Sequence, residues 1–172
     1  MTTNRTLLLM RHGKSDWDSG ATDDFSRPLS RRGLRDAPRV GKWLADNGLL
    51  PAYIACSPAV RTNETALLVC SGAEISTDRI YHDKRLYLAS LHELLSVMRD
   101  IPASPEPLML IGHNPGLEDL LLYLAGDAAA HTGHRKIMPT AALAQLEFTG
   151  NTPAPGSVRL LNLLRPRELP AD

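Results

Sequence analysis

Two cysteines in 172 residues cannot build the disulfide framework of a small secreted domain. Cys56 falls in an apolar strand-like run and Cys70 in a helical pattern, so both are expected as buried thiols. Charge of one sign is missing too. Lys plus Arg and Asp plus Glu number 19 each, so no global field gathers nucleic acid or an acidic membrane, and any anion site must be local. Nor is there a long hydrophobic run: Leu7-Leu8-Leu9-Met10 is too short for a signal-peptide core with its cleavage site and far too short to span a bilayer, which points to a soluble, cytoplasmic protein. Repeats, charge blocks and low-complexity tracts are absent, and the Pro-rich pieces, Pro102 to Pro107 and Pro153 to Pro155, read as short connections. The length suits a single domain, residues 1–172, that buries roughly two-thirds of its unfolded surface.

What is present is an alternation of two periodicities. Apolar or β-prone runs at Thr6 to Met10, Tyr53 to Cys56, Leu108 to Ile111, Ala142 to Phe148 and Ser157 to Leu164 predict strands, with a weaker one at Ile75 to Tyr81. Between them lie helical patterns. Ser30 to Asn47 has a serine cap, an apolar stripe through Leu34, Ala37, Val40, Gly41 and Leu44, a stop at Gly48, and an internal Pro38 expected to kink it. The others are Pro58 to Cys70 with proline in its first turn, Ser90 to Asp100 with a serine cap, and Leu117 to Ala125 ending at Gly126. Runs that stay apolar without alternation suit strands covered on both faces. The predicted fold is therefore α/β, a three-layer α/β/α sandwich around a mainly parallel, mixed central sheet.

In open α/β sheets ligands bind outside the carboxyl ends of the strands. Three such ends are loaded here. Met10 is followed by Arg11-His12-Gly13-Lys14-Ser15, Cys56 by Ser57-Pro58 and then Arg61, and Ile111 by Gly112-His113-Asn114-Pro115-Gly116. Arginine presents a planar fork of donors that matches phosphate oxygens and never loses its charge. A neutral imidazole can attack phosphorus if its other nitrogen donates to a fixed acceptor, usually a backbone carbonyl. Gly13 is expected to let the backbone approach an anion. His113 can donate to the equatorial oxygens of a transferring phosphoryl group, and the Asn114 amide could add a further donor. Each piece alone is weak: a strand-capping arginine, a turn and a solvated helix charge would explain them one by one. Their convergence on adjacent strand ends is what singles them out, with His12 as nucleophile and Arg11, Arg61 and His113 around the phosphoryl group. No cluster of metal ligands accompanies them, so no metal and no cofactor is expected.

The same residues resemble the histidine phosphatase superfamily, in its phosphoglycerate-mutase-like branch, and most of all the short SixA-type phosphohistidine phosphatases. The pieces that match are Leu8 to Trp17 with its Arg11-His12-Gly13, Arg27-Pro28-Leu29-Ser30 with Gly33, Ser57 to Ala66, Leu86-Tyr87, Gly112 to Pro115, and Pro139 to Ala142, in the family's order. The resemblance implies the same α/β/α fold. It also implies that His12 becomes phosphorylated, that Arg11 and Arg61 bind the phosphate, and that His113 completes the pocket. Two departures from the mutase-like pattern follow. Tyr87 stands where those relatives carry a glutamate general acid, and Asp18 stands where they have an asparagine that touches phosphate.

Loss of the acid selects among substrates. An alkoxide leaving group needs a proton, a service worth on the order of a hundred- to ten-thousand-fold. A phosphorylated imidazole leaves from a ring whose ordinary pKa is about 6.5, already protonated. The expected substrate is thus phosphohistidine in a protein. Phosphatase action on small phosphoesters and a non-catalytic phospho-binding module are the alternatives, and an intact His12 argues against the last. Asp83 is a fallback acid, set against the reading of it as a partner of Lys84 and Arg85. His131 and His134 have metal-like spacing without a third ligand nearby, and His82 and His92 lack convergent partners. Arg31, Arg32 and Arg35 form a basic patch; most such patches are solvated faces, though this one could receive an acidic or phosphorylated protein. The expected partner is a phosphorylated protein or small phosphorylated molecule, not nucleic acid or membrane; oligomeric state is not legible in the residues.

Overall fold

The structure, a computed structural model, describes residues 4–102, 106–131, 133 and 135–170. Six strands, β1 (Asn4–Arg11), β2 (Tyr53–Cys56), β3 (Ile80–His82), β4 (Leu108–Gly112), β5 (Leu143–Thr149) and β6 (Arg159–Leu164), form one sheet in the order β3-β2-β4-β1-β5-β6. Pairings on the β3 side of β1 are parallel, and β1–β5 and β5–β6 are antiparallel. The weak strand expected from Ile75 shrinks to three residues, because Thr77–Arg79 turns as a short 3₁₀ segment first.

The helices α1 (Arg31–Asp46), α2 (Val60–Ala73), α3 (Leu91–Asp100), α4 (Gly116–Ala125) and the single turn α5 (Asp127–Ala130) complete the layers. In β1 and β4 the all-apolar runs split by alternation, as period-two geometry requires. Leu7, Leu9, Leu108 and Leu110 face α3 and α4 with Leu94, Val97, Leu117 and Leu120. Leu8, Met10, Met109 and Ile111 face α1 and α2 with Val40, Leu44, Val69 and Cys70. Both faces are buried, which is why neither strand shows an alternating pattern. Cys56 and Cys70 are free thiols inside the second cluster, and burial pushes the Cys56 thiol up to about 12.

Side-chain caps fix the start of two of the described α-helices. Ser30 accepts from the Gly33 amide at the start of α1, and Ser90 with Glu93 forms a reciprocal capping box on α3. α1 runs uninterrupted through Pro38, whose carbonyl lies against Gly72 of α2: a β-carbon there would come within 2.0 Å of that oxygen. The first-turn proline expected for α2 lies outside it. Pro58 precedes the cap residue Ala59, so Arg61 is the second helical residue. Among the described residues no helix is long and apolar enough to cross a membrane.

Candidate active site

The strand order sets the site. β4 is inserted between β1 and β2, so residues after all three carboxyl ends meet on one edge. His12 leaves β1 with its amide donating to the Gly112 carbonyl of β4, and the Ser57 amide donates to Ile111. The His12 and His113 ring centres lie 5.2 Å apart, and a cavity of about 220 Å³ opens over them.

His12 is buried, and its Nδ1 lies 2.7 Å from the Gly13 carbonyl. A carbonyl only accepts, so Nδ1 carries the proton and the lone pair sits on Nε2. Arg61 Nε lies 3.4 Å from that Nε2. Burial above all lowers the imidazole pKa to about 3; the Gly13 bond, next in size, raises it, and the charges of His113, Arg61 and Arg11 lower it by smaller amounts. His12 is therefore a neutral, oriented imidazole at neutral pH, the state that covalent attack on phosphorus needs. Gly13 does something other than expected. Its α-carbon faces Gly33 and Leu29 at the start of α1, and its amide donates to Thr65 Oγ1, so it packs helix against strand end.

Arg61, 2% exposed, spends its whole fork inside the site. Nη1 donates to the Asp24 carbonyl at 2.6 Å, and Nη2 to Asp24 Oδ2 at 2.9 Å and toward His113 Nδ1 at 3.3 Å. A guanidinium cannot accept, so His113 Nδ1 is the acceptor and its Nε2–H faces Ser57 Oγ at 2.8 Å. Burial, then Arg61, lowers His113 to about 3 as well. Arg11 donates to the Met138 carbonyl at 3.1 Å, and its buried Nε has no partner among the described residues.

Asn114 lines the cavity, but its side-chain donors are taken. Nδ2 donates to Glu118 Oε1 and to the Met138 carbonyl, and flipping the amide would set two oxygens against each other. Both side-chain donors of Asn114 are thus engaged within the protein, as the Arg61 fork is. Asp83 lies outside the cavity lining: its carboxylate accepts from the Arg85 amide and guanidinium, which holds it below the usual range. It is a surface ion-pair partner, as the alternative reading had it. Asp18 is exposed and also absent from the lining. His82 pairs with Asn63, and His131 leans on the Asp127 carbonyl; His134 lies outside the described residues.

Sequence reasoning missed Asp24. Burial opposes its ionisation, yet hydrogen bonds from Tyr87, Arg27 and Arg61 outweigh this and hold the carboxyl far below the usual carboxylate range. Tyr87 Oη donates to Oδ2 at 2.7 Å and Arg27 to Oδ1 at 2.6 Å. Tyr87, in the place of the relatives' acid, thus reaches the site through an anion. Arg27 also donates to Ser15 Oγ and lies 3.6 Å from the ring centre of the exposed Trp17. Asp24 sits in a loop without periodicity, so only the neighbouring Arg27-Pro28-Leu29 motif could have flagged the segment. Among the described residues no group of three or more His, Cys, Asp or Glu side chains is placed to hold a metal ion.

The imidazole states give a direct check. Proton resonances of the His12 and His113 rings should not titrate between about pH 8 and about pH 5, whereas an ordinary histidine has its midpoint near 6.5. A step near 6.5 for either ring would contradict the buried neutral pair. The linkage has one sign: the unfolded chain binds these protons below about 6.5 and the fold does not until about 3, so stability is lost as pH falls through that window.

Three cationic forks and two neutral imidazoles surround a small cavity at the carboxyl end of a parallel sheet, an arrangement suited to a phosphoryl group. Comparison with known proteins agrees. The chain belongs to the histidine phosphatase superfamily (branch 1), whose model matches residues 7–86, from β1 through Leu86. An uncharacterized protein of Mycobacterium tuberculosis is 31% identical over 166 residues, covering 92% of this chain and 100% of that one. The crystal structure of a candidate phosphohistidine phosphatase SixA from Agrobacterium tumefaciens superposes with a TM-score of 0.79 at 26% identity, over 94% of this chain and 97% of that one. The protein histidine phosphatase SixA complexed with tungstate shares the fold, with a TM-score of 0.76 at 18% identity over 94% and 97% of the two chains.

Proposed function

We propose that the protein is a metal-independent phosphatase that takes a phosphoryl group onto His12 Nε2 and passes it to water, and that its substrate is phosphohistidine in a protein. The observation that carries the first part is the His12 tautomer. Gly13 fixes the proton on Nδ1 and so leaves the lone pair on Nε2, which accepts from Arg61 Nε in a ring that lines the cavity. In the first step the His12 Nε2–P bond forms as the substrate N–P bond breaks. In the second, water oxygen attacks phosphorus, His12 departs as the neutral ring, and the water proton passes to phosphate or solvent. Arg11 and Arg61 neutralise the equatorial oxygens through both steps.

The leaving group supports the second part. Among the described residues Asp24 is the one carboxyl lining the cavity, and it is held as an anion by three donors. Tyr87 already donates its hydroxyl proton to that anion, and its pKa is raised by burial and by Asp24. No carboxylic acid therefore stands ready at neutral pH to protonate an alkoxide. An imidazole, with a conjugate-acid pKa of about 6.5, leaves without such help. The likeness to SixA proteins points the same way.

A turnover panel tests this. Phosphohistidine peptide should exceed phosphoserine peptide by at least on the order of a hundred-fold in kcat/KM, with aryl phosphates between them in order of leaving-group pKa. A flat dependence on leaving group, with dephosphorylation of the enzyme shown not to limit the rate, would mean that an acid serves the site. The phosphohistidine reading would then fall. The same panel decides for small phosphoesters if alkyl esters prove the better substrates.

A further inference from the structure

The catalytic cavity holds about 220 Å³, below the range on the order of 300–1,000 Å³ of sites that enclose a whole small ligand, so most of a substrate must lie outside it. Thr140 lines this cavity and also a second, open cleft of about 1290 Å³. The wall between the two is anchored to the catalytic strand. The Ala141 amide donates to the Arg11 and His12 carbonyls, the Met138 carbonyl accepts from Arg11 and Asn114, and Arg32 donates to Thr140 Oγ1. Ala141 sits at a φ of 60°, a left-handed conformation that a residue with a β-carbon rarely adopts, and these bonds hold it there.

The cleft is cationic. Arg32, Arg35 and Arg39 line it from α1, Arg135 and Lys136 from the segment before β5, and Arg165 and Arg167 from the chain after β6. Among the described lining residues, seven cations accompany two carboxylates, Asp36 and Glu168, on a chain whose formal net charge is zero. Asp36 is shared by Arg32, Arg35 and Arg39, and Arg165 pairs with Glu168. Arg135, Lys136 and Arg167 are exposed and have no ion-pair partner among the described residues.

We propose that this cleft is a docking site for an acidic segment of the substrate protein, which lies along it while the phosphoryl group enters the catalytic cavity past Thr140. The proposal rests on the phosphatase reading and specifies the substrate as an acidic phosphoprotein. Two features favour an acidic polypeptide over nucleic acid: among the described residues the lining contains no aromatic ring on which a base could stack, and Pro139, Pro166 and Leu169 add apolar surface to it. Paired charges across such a surface mainly speed capture and select partners.

The test combines Arg135→Glu, Lys136→Glu and Arg167→Glu, which break no ion pair among the described residues and touch nothing in the catalytic cavity. A fluorescent Glu-rich peptide without phosphate, followed by anisotropy, reads docking independently of chemistry. It should bind the wild type in a salt-sensitive way, and the triple variant about tenfold or more weakly. A phosphohistidine peptide with acidic flanks should lose kcat/KM through KM by a similar factor, while a phosphohistidine peptide with neutral flanks and an aryl phosphate keep theirs. Equal binding to both proteins, no binding to either, or tighter binding of a single-stranded oligonucleotide than of the acidic peptide would overturn the proposal. Peptide binding that is lost in the variant, in an enzyme that hydrolyses only aryl and alkyl esters, would uphold the acidic docking site and refute the phosphohistidine substrate.

Discussion

His12→Ala should abolish turnover, lowering kcat by at least on the order of ten-thousand-fold, the scale seen when a covalent nucleophile is removed. The fold should survive. His12 is bonded through its ring to the Gly13 carbonyl and approached by Arg61, while the strand-end contacts of its backbone, to Gly112 and Ala141, do not involve the imidazole. Arg11, Arg27 and Arg61 remain, so inorganic phosphate should still bind. Because the buried ring is neutral and the unfolded one titrates, the variant should also lose less stability between about pH 6.5 and pH 4 than the parent does. Circular dichroism, phosphate binding by calorimetry and steady-state rates separate these effects. Substantial turnover in a folded His12→Ala protein would exclude the covalent route.

Arg61→Lys should cost on the order of a hundred-fold or more in kcat/KM, although it keeps the formal charge. One planar group here reaches His12 Nε2, His113 Nδ1, the Asp24 carbonyl and the Asp24 carboxylate at once. An ammonium is a point donor on a flexible stem and cannot hold these four directions. Desolvation at a site 2% exposed would also lower the pKa of a lysine placed there. Part of the loss should appear as misplacement of the loop that carries Asp24. Near-parental kinetics for Arg61→Lys, in a variant that folds normally, would show that the fork contributes only charge.

The chemistry of strand ends was legible because it is local. Apolar runs end at Met10, Cys56 and Ile111, and each delivers its polar residues within five positions. Placing Arg11, His12, Arg61 and His113 on one crevice then needed only the general behaviour of α/β sheets. The helix caps at Ser30 and Ser90 were legible for the same reason. What escaped depends on pairing between distant positions. Asp24 meets Arg61 across 37 residues and Tyr87 across 63, through a loop that carries no periodic signal. The partners of the Asn114 side chain are of both kinds: the Met138 carbonyl lies 24 residues away and is invisible to local reading, whereas Glu118 stands one helical turn on. Gly13 was assigned to anion approach when its real constraint is Gly33, brought against it by the docking of α1. The short start of α2 has a similar cause, since the Val60 amide is held by the Phe25 carbonyl of that same loop.

The most direct test of the account is to trap the enzyme with a small radiolabelled phosphodonor, quench in alkaline denaturant and map the labelled peptide. Phosphorus on an imidazole nitrogen is stable in base and lost in acid, unlike a phosphoserine or an acyl phosphate. The account predicts stoichiometric, acid-labile, base-stable label on the peptide containing His12, absent from His12→Ala and released as inorganic phosphate when the labelled donor is removed. Turnover without any such label, or label on His113 or on a hydroxyl residue in place of His12, would contradict it.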